Sequence, residues 1–211
     1  MKKLKFVITT GPTREYLDPV RLLTNASSGK MGYACAAAAQ RRGHNVTLIS
    51  GPVALKNPRG IKRIDVMTGA EMDQAVREYY ETCDCVIMTA AVGDYQPKRT
   101  SRYKIKKRQD PLNLELVRTK DILAGLGRRK KNQILIGFAV QDRAGRANAQ
   151  RKLLEKNLDA IVLNSPSSFG ADKIDAEILI RDLVWQSHPA ITKFRLATRL
   201  IRLAENLIDK K

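Results

Sequence analysis

An α/β fold with a mainly parallel sheet is predicted, and three observations predict it. Short apolar runs of strand length recur along the chain: KFVITT, VTLIS, CDCVIMTA, QILIGFA and AIVLN. Segments with helical spacing separate most of them. These runs lack the polar alternation of a half-solvated strand, so helices should cover both faces of the sheet, giving a three-layer sandwich.

The elements follow in order. Residues 5–10 form the first strand, and a long loop runs over 11–30. Residues 31–42 form an alanine-rich helix that stops at Gly43. Strands are expected at 46–50 and 61–67, a helix at 69–81, and a nearly continuous apolar strand at 83–90. Residues 91–111, AVGDYQPKRTSRYKIKKRQDP, are basic and almost without apolar period, and loops of that length are usually functional or disordered. Then come a strand at 112–117, a helix at 121–131, a strand at 133–139, a helix at 142–157 and a strand at 160–164. A late strand at 177–185 and an amphipathic helix at 191–208 close the chain, the helix carrying Phe194, Ala197, Leu200, Ile201 and Ala204 on one stripe. A single domain is expected over residues 1–211, with 171–211 the least defined part. An open sheet of this kind holds ligands at the carboxyl ends of its strands, which brings 11–30, 91–111 and the stretch after Phe138 around one cleft.

Composition removes several classes of function. Cys35, Cys83 and Cys85 form no C-x-x-C pair and lack companion ligands, so they read as buried thiols, with Cys83 and Cys85 on one face of a strand entry. His44 and His188 are the only histidines, leaving little for Ser-His-Asp or Cys-His chemistry. No run approaches the ~18 apolar residues of a spanning helix, and the N-terminal apolar run is too short for a signal peptide, so a cytoplasmic chain without a membrane partner is expected. The formal charge of +18 attracts polyanions, yet aromatics are only 5% and do not interleave with the basic residues. Nucleic acid is therefore not the expected partner. A dinucleotide-dependent enzyme fails for want of G-x-G-x-x-G and of an acidic residue ending the second strand, which ends in Ser50-Gly51.

The stretch TNASSGKMG, residues 24–32, resembles a phosphate loop without matching one. Thr24 stands where a Walker loop needs glycine, and Met31 where it needs Ser or Thr. Its physics still favours an anion: Ser27, Ser28 and Gly29 precede a helix whose first N–H groups are free, and Lys30 adds an ammonium. An ordinary N-cap followed by a packing glycine is the competing explanation.

The wider run GPTREYLDPVRLLTNASSGKMGYACAAAAQRRGHNVTLISGPV resembles the phosphopantothenoylcysteine synthetase (phosphopantothenate–cysteine ligase) family, the carboxy-terminal half of the bifunctional coenzyme A biosynthesis flavoprotein of bacteria. AAVGDYQP, KIKK, GFA and KLLEKNLDAIVLN match in order, so the resemblance covers residues 5–170. It implies a Rossmann-like fold, a homodimer, Mg²⁺, and a ligase joining 4'-phosphopantothenate to cysteine. The carboxylate is first activated with CTP, ATP being the less expected nucleotide, and an acyl-cytidylate and pyrophosphate form. The cysteine amine then attacks.

The resemblance also assigns residues. Asn25 matches the asparagine that contacts the acyl-nucleotide, and Lys104, first of KIKK, the lysine of the activation step, on a long basic active-site loop that would close as a lid. Arg21 matches a substrate-binding arginine; Ser27, Ser28, Gly29, Lys30 and Met31 form the substrate loop. Nucleotide contacts fall on Met88, Thr89, Ala90, Asp94 and Lys104, then on Lys120, Asp121, Ile122 and Leu123, and on Phe138, Lys152 and Lys156. Asp94 is also the candidate metal contact. Thr119-Lys120 replace the family's Asn-Pro. Met1 opens directly on the first strand, so no flavin is expected, and a separate flavin-dependent decarboxylase would be the partner enzyme. The competing hypothesis is a nucleotide- or nucleic-acid-binding protein that kept the fold and lost the chemistry. Retention of Asn25, Arg21, Lys30 and Lys104 together argues against it.

Overall fold

The computed structural model describes residues 2–107, 109–141, 144–168, 170–181 and 184–210. Six strands run parallel in a doubly wound order: β1 (Lys5–Thr10), β4 (Asn45–Ser50), β5 (Lys62–Asp65), β6 (Cys85–Met88), β9 (Ile134–Val140) and β10 (Ala160–Asn164). Two antiparallel strands, β11 (Lys173–Ile180) and β12 (Trp185–Thr192), extend one edge, giving the order β12-β11-β10-β9-β6-β1-β4-β5. The chain direction of growth reverses between β1 and β6, so the switch point, where such sheets open a crevice, lies between those two strands.

Helices cover both faces, as the unalternating strands require. On one face α1 (Lys30–Arg41) and α5 (Lys193–Asp209) bury Cys35, Ala36, Leu200 and Ile201 against Phe6, Ile8 and Leu48. On the other, α2 (Gly69–Tyr80), α3 (Ile122–Arg129) and α4 (Gly145–Glu155) bury Met72, Val76, Leu126 and Leu153 against Val7, Val86 and Leu135. The Rossmann-like three-layer sandwich with a mainly parallel sheet is therefore the observed fold. The start of the helix expected at 142 lies outside the described residues.

Several local expectations are corrected. The loop over 11–30 contains a hairpin of β2 (Arg14–Tyr16) and β3 (Leu22–Thr24), and the loop over 91–111 contains β7 (Tyr95–Pro97), paired with β8 (Leu116–Arg118). The strand expected at 112–117 was read from alternating leucines; Leu112, Leu114 and Leu116 are 59%, 45% and 41% exposed, so their shared face meets no core within the chain. The late strand at 177–185 is instead parts of β11 and β12, because the sequence at their junction carries no glycine or Asn-Gly turn signal. Cys83 and Cys85 do not share a face: β6 starts at Cys85, Cys83 precedes it, and the two pack into opposite layers. Alternation holds only inside a strand. All three cysteines are buried and unbonded. Burial pushes the Cys35 thiol up to about 12, and burial followed by the charge of Asp84 does the same to Cys83.

Candidate functional site

A cleft of about 990 Å³ opens over the carboxyl ends of β1, β6, β9 and β10. Its floor depends on a glycine. A Cβ on Gly32 would stand 2.4 Å from Thr10 Cβ and 2.7 Å from Thr89 Oγ1, so only glycine lets the first turn of α1 rest on the switch point. Gly29, with φ 74°, is the N-cap residue, and no side chain caps the helix. The first amides of α1, which have no intrahelical acceptor, are thus left to the cleft. Ser27, Ser28, Gly29, Lys30 and Met31 all line it.

Asn25 lies beside them. Its Nδ2 donates to the carbonyls of Ala91 at 3.1 Å and Val92 at 3.3 Å, which orients the amide along the segment leaving β6. Met88, Thr89, Ala90 and Asp94 line the same wall. Thr119, at the altered family position, donates its hydroxyl to Gly93 and its amide to Asp94, binding that wall to the start of α3. Lys120, Asp121, Ile122 and Leu123 follow, and Phe138, Lys152 and Lys156 complete the far side. Asp121 does two structural tasks: it caps α3 by accepting from Ala124 N at 2.9 Å and pairs with Lys156 Nζ at 2.8 Å. Burial opposes its ionisation, but the Lys156 and Ala124 hydrogen bonds hold its carboxyl below the usual value.

Two sequence candidates are not brought into the cleft. Arg21 donates to Asp18 and to the Ile105 carbonyl, on an arm made of the β2–β3 hairpin and the basic loop. Lys104 stands exposed on that loop, which is docked by Ser101 N to Leu17 O and Thr100 Oγ1 to Tyr16 O. Only the beginning of the 91–111 segment lines the cleft.

The lining adds residues the sequence reading missed: Arg118, Arg151, Asn164, Ser168, Ile174 and Lys193. Asn164 was findable, since it ends a parallel strand. Lys193 and Ile174 were not, because they come from the part beyond the family motifs. The lining carries seven Lys or Arg side chains against three acidic ones. A phosphate-rich ligand suits that balance. Among the described residues no group of three or more His, Cys, Asp or Glu could cage a metal ion. A smaller crevice of about 340 Å³ lies at the opposite, amino-terminal ends of β1, β4 and β5. No helix among the described residues is long and apolar enough to cross a membrane.

Fold and site together define a doubly wound α/β domain with a cationic cleft at its switch point. More particularly, the chain belongs to the DNA/pantothenate metabolism flavoprotein C-terminal domain (DFP) family, which it matches over residues 1–207. It is 45% identical over 201 residues to the coenzyme A biosynthesis bifunctional protein CoaBC of Bacillus subtilis (strain 168), covering 93% of this chain and 50% of that protein. The Escherichia coli (strain K12) protein of the same name is 46% identical over 171 residues, 79% of this chain and 42% of that one. The chain thus spans about half the length of these relatives. The crystal structure of the C-terminal domain of a CoaBC protein superposes with a TM-score of 0.88 at 38% identity, covering 100% of this chain and 98% of the other.

Proposed function

We propose that this chain is a phosphopantothenate–cysteine ligase acting in coenzyme A biosynthesis. One observation carries the reading: Asn25, the 27–31 loop, Met88–Ala90, Lys120–Leu123, Phe138, Lys152 and Lys156, far apart in sequence, line one cationic cleft.

The reaction fits such a site. A carboxylate oxygen of phosphopantothenate attacks the α-phosphorus of CTP, the bond to pyrophosphate breaks, and an acyl-cytidylate results. The cysteine nitrogen then attacks the acyl carbon, CMP leaves, and the amine gives up a proton. The first step needs no general base, because the carboxylate is already ionised at neutral pH. It needs anions brought together and their charge offset, which amides of α1, Lys30, Lys152 and Lys156 would supply. The neutral amide of Asn25 would donate to the anhydride without the fixed charge that would trap it. Lys104 would act after the basic loop swings from its docked position over the nucleotide.

Mg²⁺ suits the donor set in one mode. With no three-ligand acidic cage among the described residues, the chain offers Asp94, and substrate phosphates and water would complete the shell. The ion would supply charge neutralisation at the phosphates. The arm exposes Tyr16, Val20, Leu22, Leu23, Leu112 and Leu114, an apolar surface that a second copy would cover in a homodimer. A flavin-dependent decarboxylase would consume the product.

The test is to incubate the protein with phosphopantothenate, cysteine, Mg²⁺ and either CTP or ATP and to measure pyrophosphate. Turnover with CTP well above ATP is expected. No turnover with either nucleotide overturns the reading.

A further inference from the structure

The ligase reading gives no task to Thr13, which lies between β1 and β2 at the head of the T-R-E run. Thr13 is 1% exposed and does not line the cleft, yet it grips two segments that do. Its N–H donates to the Ala91 carbonyl at 3.2 Å, beside the parallel bridge between Pro12 and Ala91. Its Oγ1 accepts the N–H of Gly93 at 3.0 Å, across 80 residues of sequence. Its carbonyl accepts the Thr24 hydroxyl at 2.7 Å. Ala91 and Gly93 belong to the segment leaving β6, and Thr24 ends β3 immediately before Asn25.

These bonds close a ring around Asn25. The Ala91 carbonyl that accepts from Thr13 also accepts from Asn25 Nδ2. Thr24, whose hydroxyl rests on Thr13, fixes the main chain that enters Asn25. Thr13 therefore holds both the backbone that carries the Asn25 side chain and the acceptor against which its amide lies. A purely structural role accounts for the bond to Gly93, which satisfies a backbone N–H. It gives no reason for the bond from Thr24, an exposed residue whose hydroxyl water could serve. The Thr13 backbone has anchors of its own. Arg14 N donates to the Met67 carbonyl at 2.8 Å, and the buried carboxylate of Glu15 accepts Gly69 N at 2.8 Å. Loss of the Thr13 hydroxyl thus loosens the ring without freeing the chain that carries it.

We propose that Thr13 is a positioning residue for the ligation: it touches no substrate and acts on the reaction through Asn25. The inference rests on the ligase reading, which puts Asn25 against the activated carboxyl group. A displacement of about 1 Å in such a group is enough to slow turnover by an order of magnitude or more, because reacting atoms tolerate little misalignment. Two side chains make the two grips separable. Thr13→Val keeps the shape of the residue and releases Gly93, and Thr24→Val releases the chain before Asn25.

The experiment compares the wild-type chain with Thr13→Val, Thr13→Ser and Thr24→Val, and places each valine variant also in an Asn25→Ala background. It measures kcat, the KM for CTP and for phosphopantothenate, the melting temperature, and the side-chain amide signals of Asn25 in ¹⁵N-labelled protein. Each valine variant should lower kcat about ten- to a hundred-fold while both KM values hold, and Thr13→Ser should restore most of the loss. In the Asn25→Ala background neither valine should lower kcat further, because the residue through which both act is gone. The Asn25 amide signals should shift in both valine variants and return in Thr13→Ser. Wild-type kcat and unmoved Asn25 signals in the valine variants would overturn the proposal. So would a kcat loss that adds in full to that of Asn25→Ala, or one that Thr13→Ser shares. If the wild type itself shows no turnover, the ligase reading fails, while the Asn25 signals still decide whether Thr13 and Thr24 hold that side chain.

Discussion

The carboxylate of Asp18 accepts the backbone N–H of Ile105 at 3.0 Å, across 87 residues of sequence. It also accepts the amides of Val20 and Arg21, both at 2.8 Å, while Arg21 donates to the Ile105 carbonyl at 3.0 Å. The residue after Lys104 is therefore clamped at both its polar backbone atoms. Burial works against the charge on Asp18, but the hydrogen bonds from Ile105, Val20 and Arg21 outweigh it and hold the carboxyl well below the usual range. A depressed carboxylate stabilises the arm fully above its unfolded value, about 4, and the contribution disappears as pH falls through the folded value. Asp18→Asn should release the basic loop at neutral pH. Limited trypsin digestion reads this as faster cleavage after Lys104, Lys106 and Lys107. Wild-type cleavage rates in Asp18→Asn would show that the clamp does not hold the loop.

Gly32 is a second sensitive point. Its substitution by alanine drives a methyl group to 2.4 Å from Thr10 Cβ and Oγ1 and 2.7 Å from Thr89 Oγ1, and Thr10 Cβ, next to the backbone, cannot swing away. Gly32→Ala should destabilise the fold by about 1–3 kcal/mol. It should also lift the amides of α1 off the switch point, so thermal melting should fall and the KM of a phosphate-bearing substrate should rise together.

The Lys156–Asp121 pair separates binding from stability. Its side chains are 23% and 49% exposed, so the ion pair itself is worth less than about 1 kcal/mol. Lys156→Ala should leave the melting temperature nearly unchanged and raise the nucleotide KM about tenfold or more, the loss of a charge-assisted contact. Asp121→Ala should instead cost about 1 kcal/mol, because the cap on Ala124 N is lost. Chemical denaturation of both variants beside their steady-state kinetics distinguishes the two effects.

Far from the cleft, Glu205 joins α5 to the end of α1. Both its oxygens accept from Arg42 at 2.7 Å, and its Oε1 meets His44 Nε2 at 2.7 Å, while His44 Nδ1 accepts from Leu4 N at 3.3 Å. Burial opposes the charge, but the Arg42 and His44 hydrogen bonds keep the Glu205 carboxyl below the ordinary value. Its stabilisation is present above the unfolded value near 4 and is lost as pH falls through the folded one. Glu205→Gln should cost about 3 kcal/mol at neutral pH, the order seen when one partner of a buried pair is removed. The deficit against wild type should shrink in denaturation curves recorded at progressively lower pH.

Most of the layered fold was legible because buried parallel strands and their helices carry local signatures: KFVITT, VTLIS and QILIGFA are strands in β1, β4 and β9, and Gly43 follows the first helix. The reading failed where pattern and environment part company. Leu112, Leu114 and Leu116 alternate like core residues yet face outward on the arm. The C-terminal hairpin was merged into one strand because its reversal has no glycine signal.

By itself the sequence determined the sheet and its two helical layers, because apolar period is a property of neighbouring residues, while the candidate residues of the cleft came from the resemblance of its motifs to a known family. Only the tertiary structure decided the rest. It put Asn25, Lys152 and Lys156 into one cleft and added Asn164 and Lys193 to it. It held Lys104 and Arg21 outside on a clamped arm, and it gave Asp121, expected as a nucleotide contact, a helix cap and an ion pair to hold. The physical reason is the same in each case: these outcomes depend on hydrogen bonds and charges that meet across tens of residues, and no local window contains both partners.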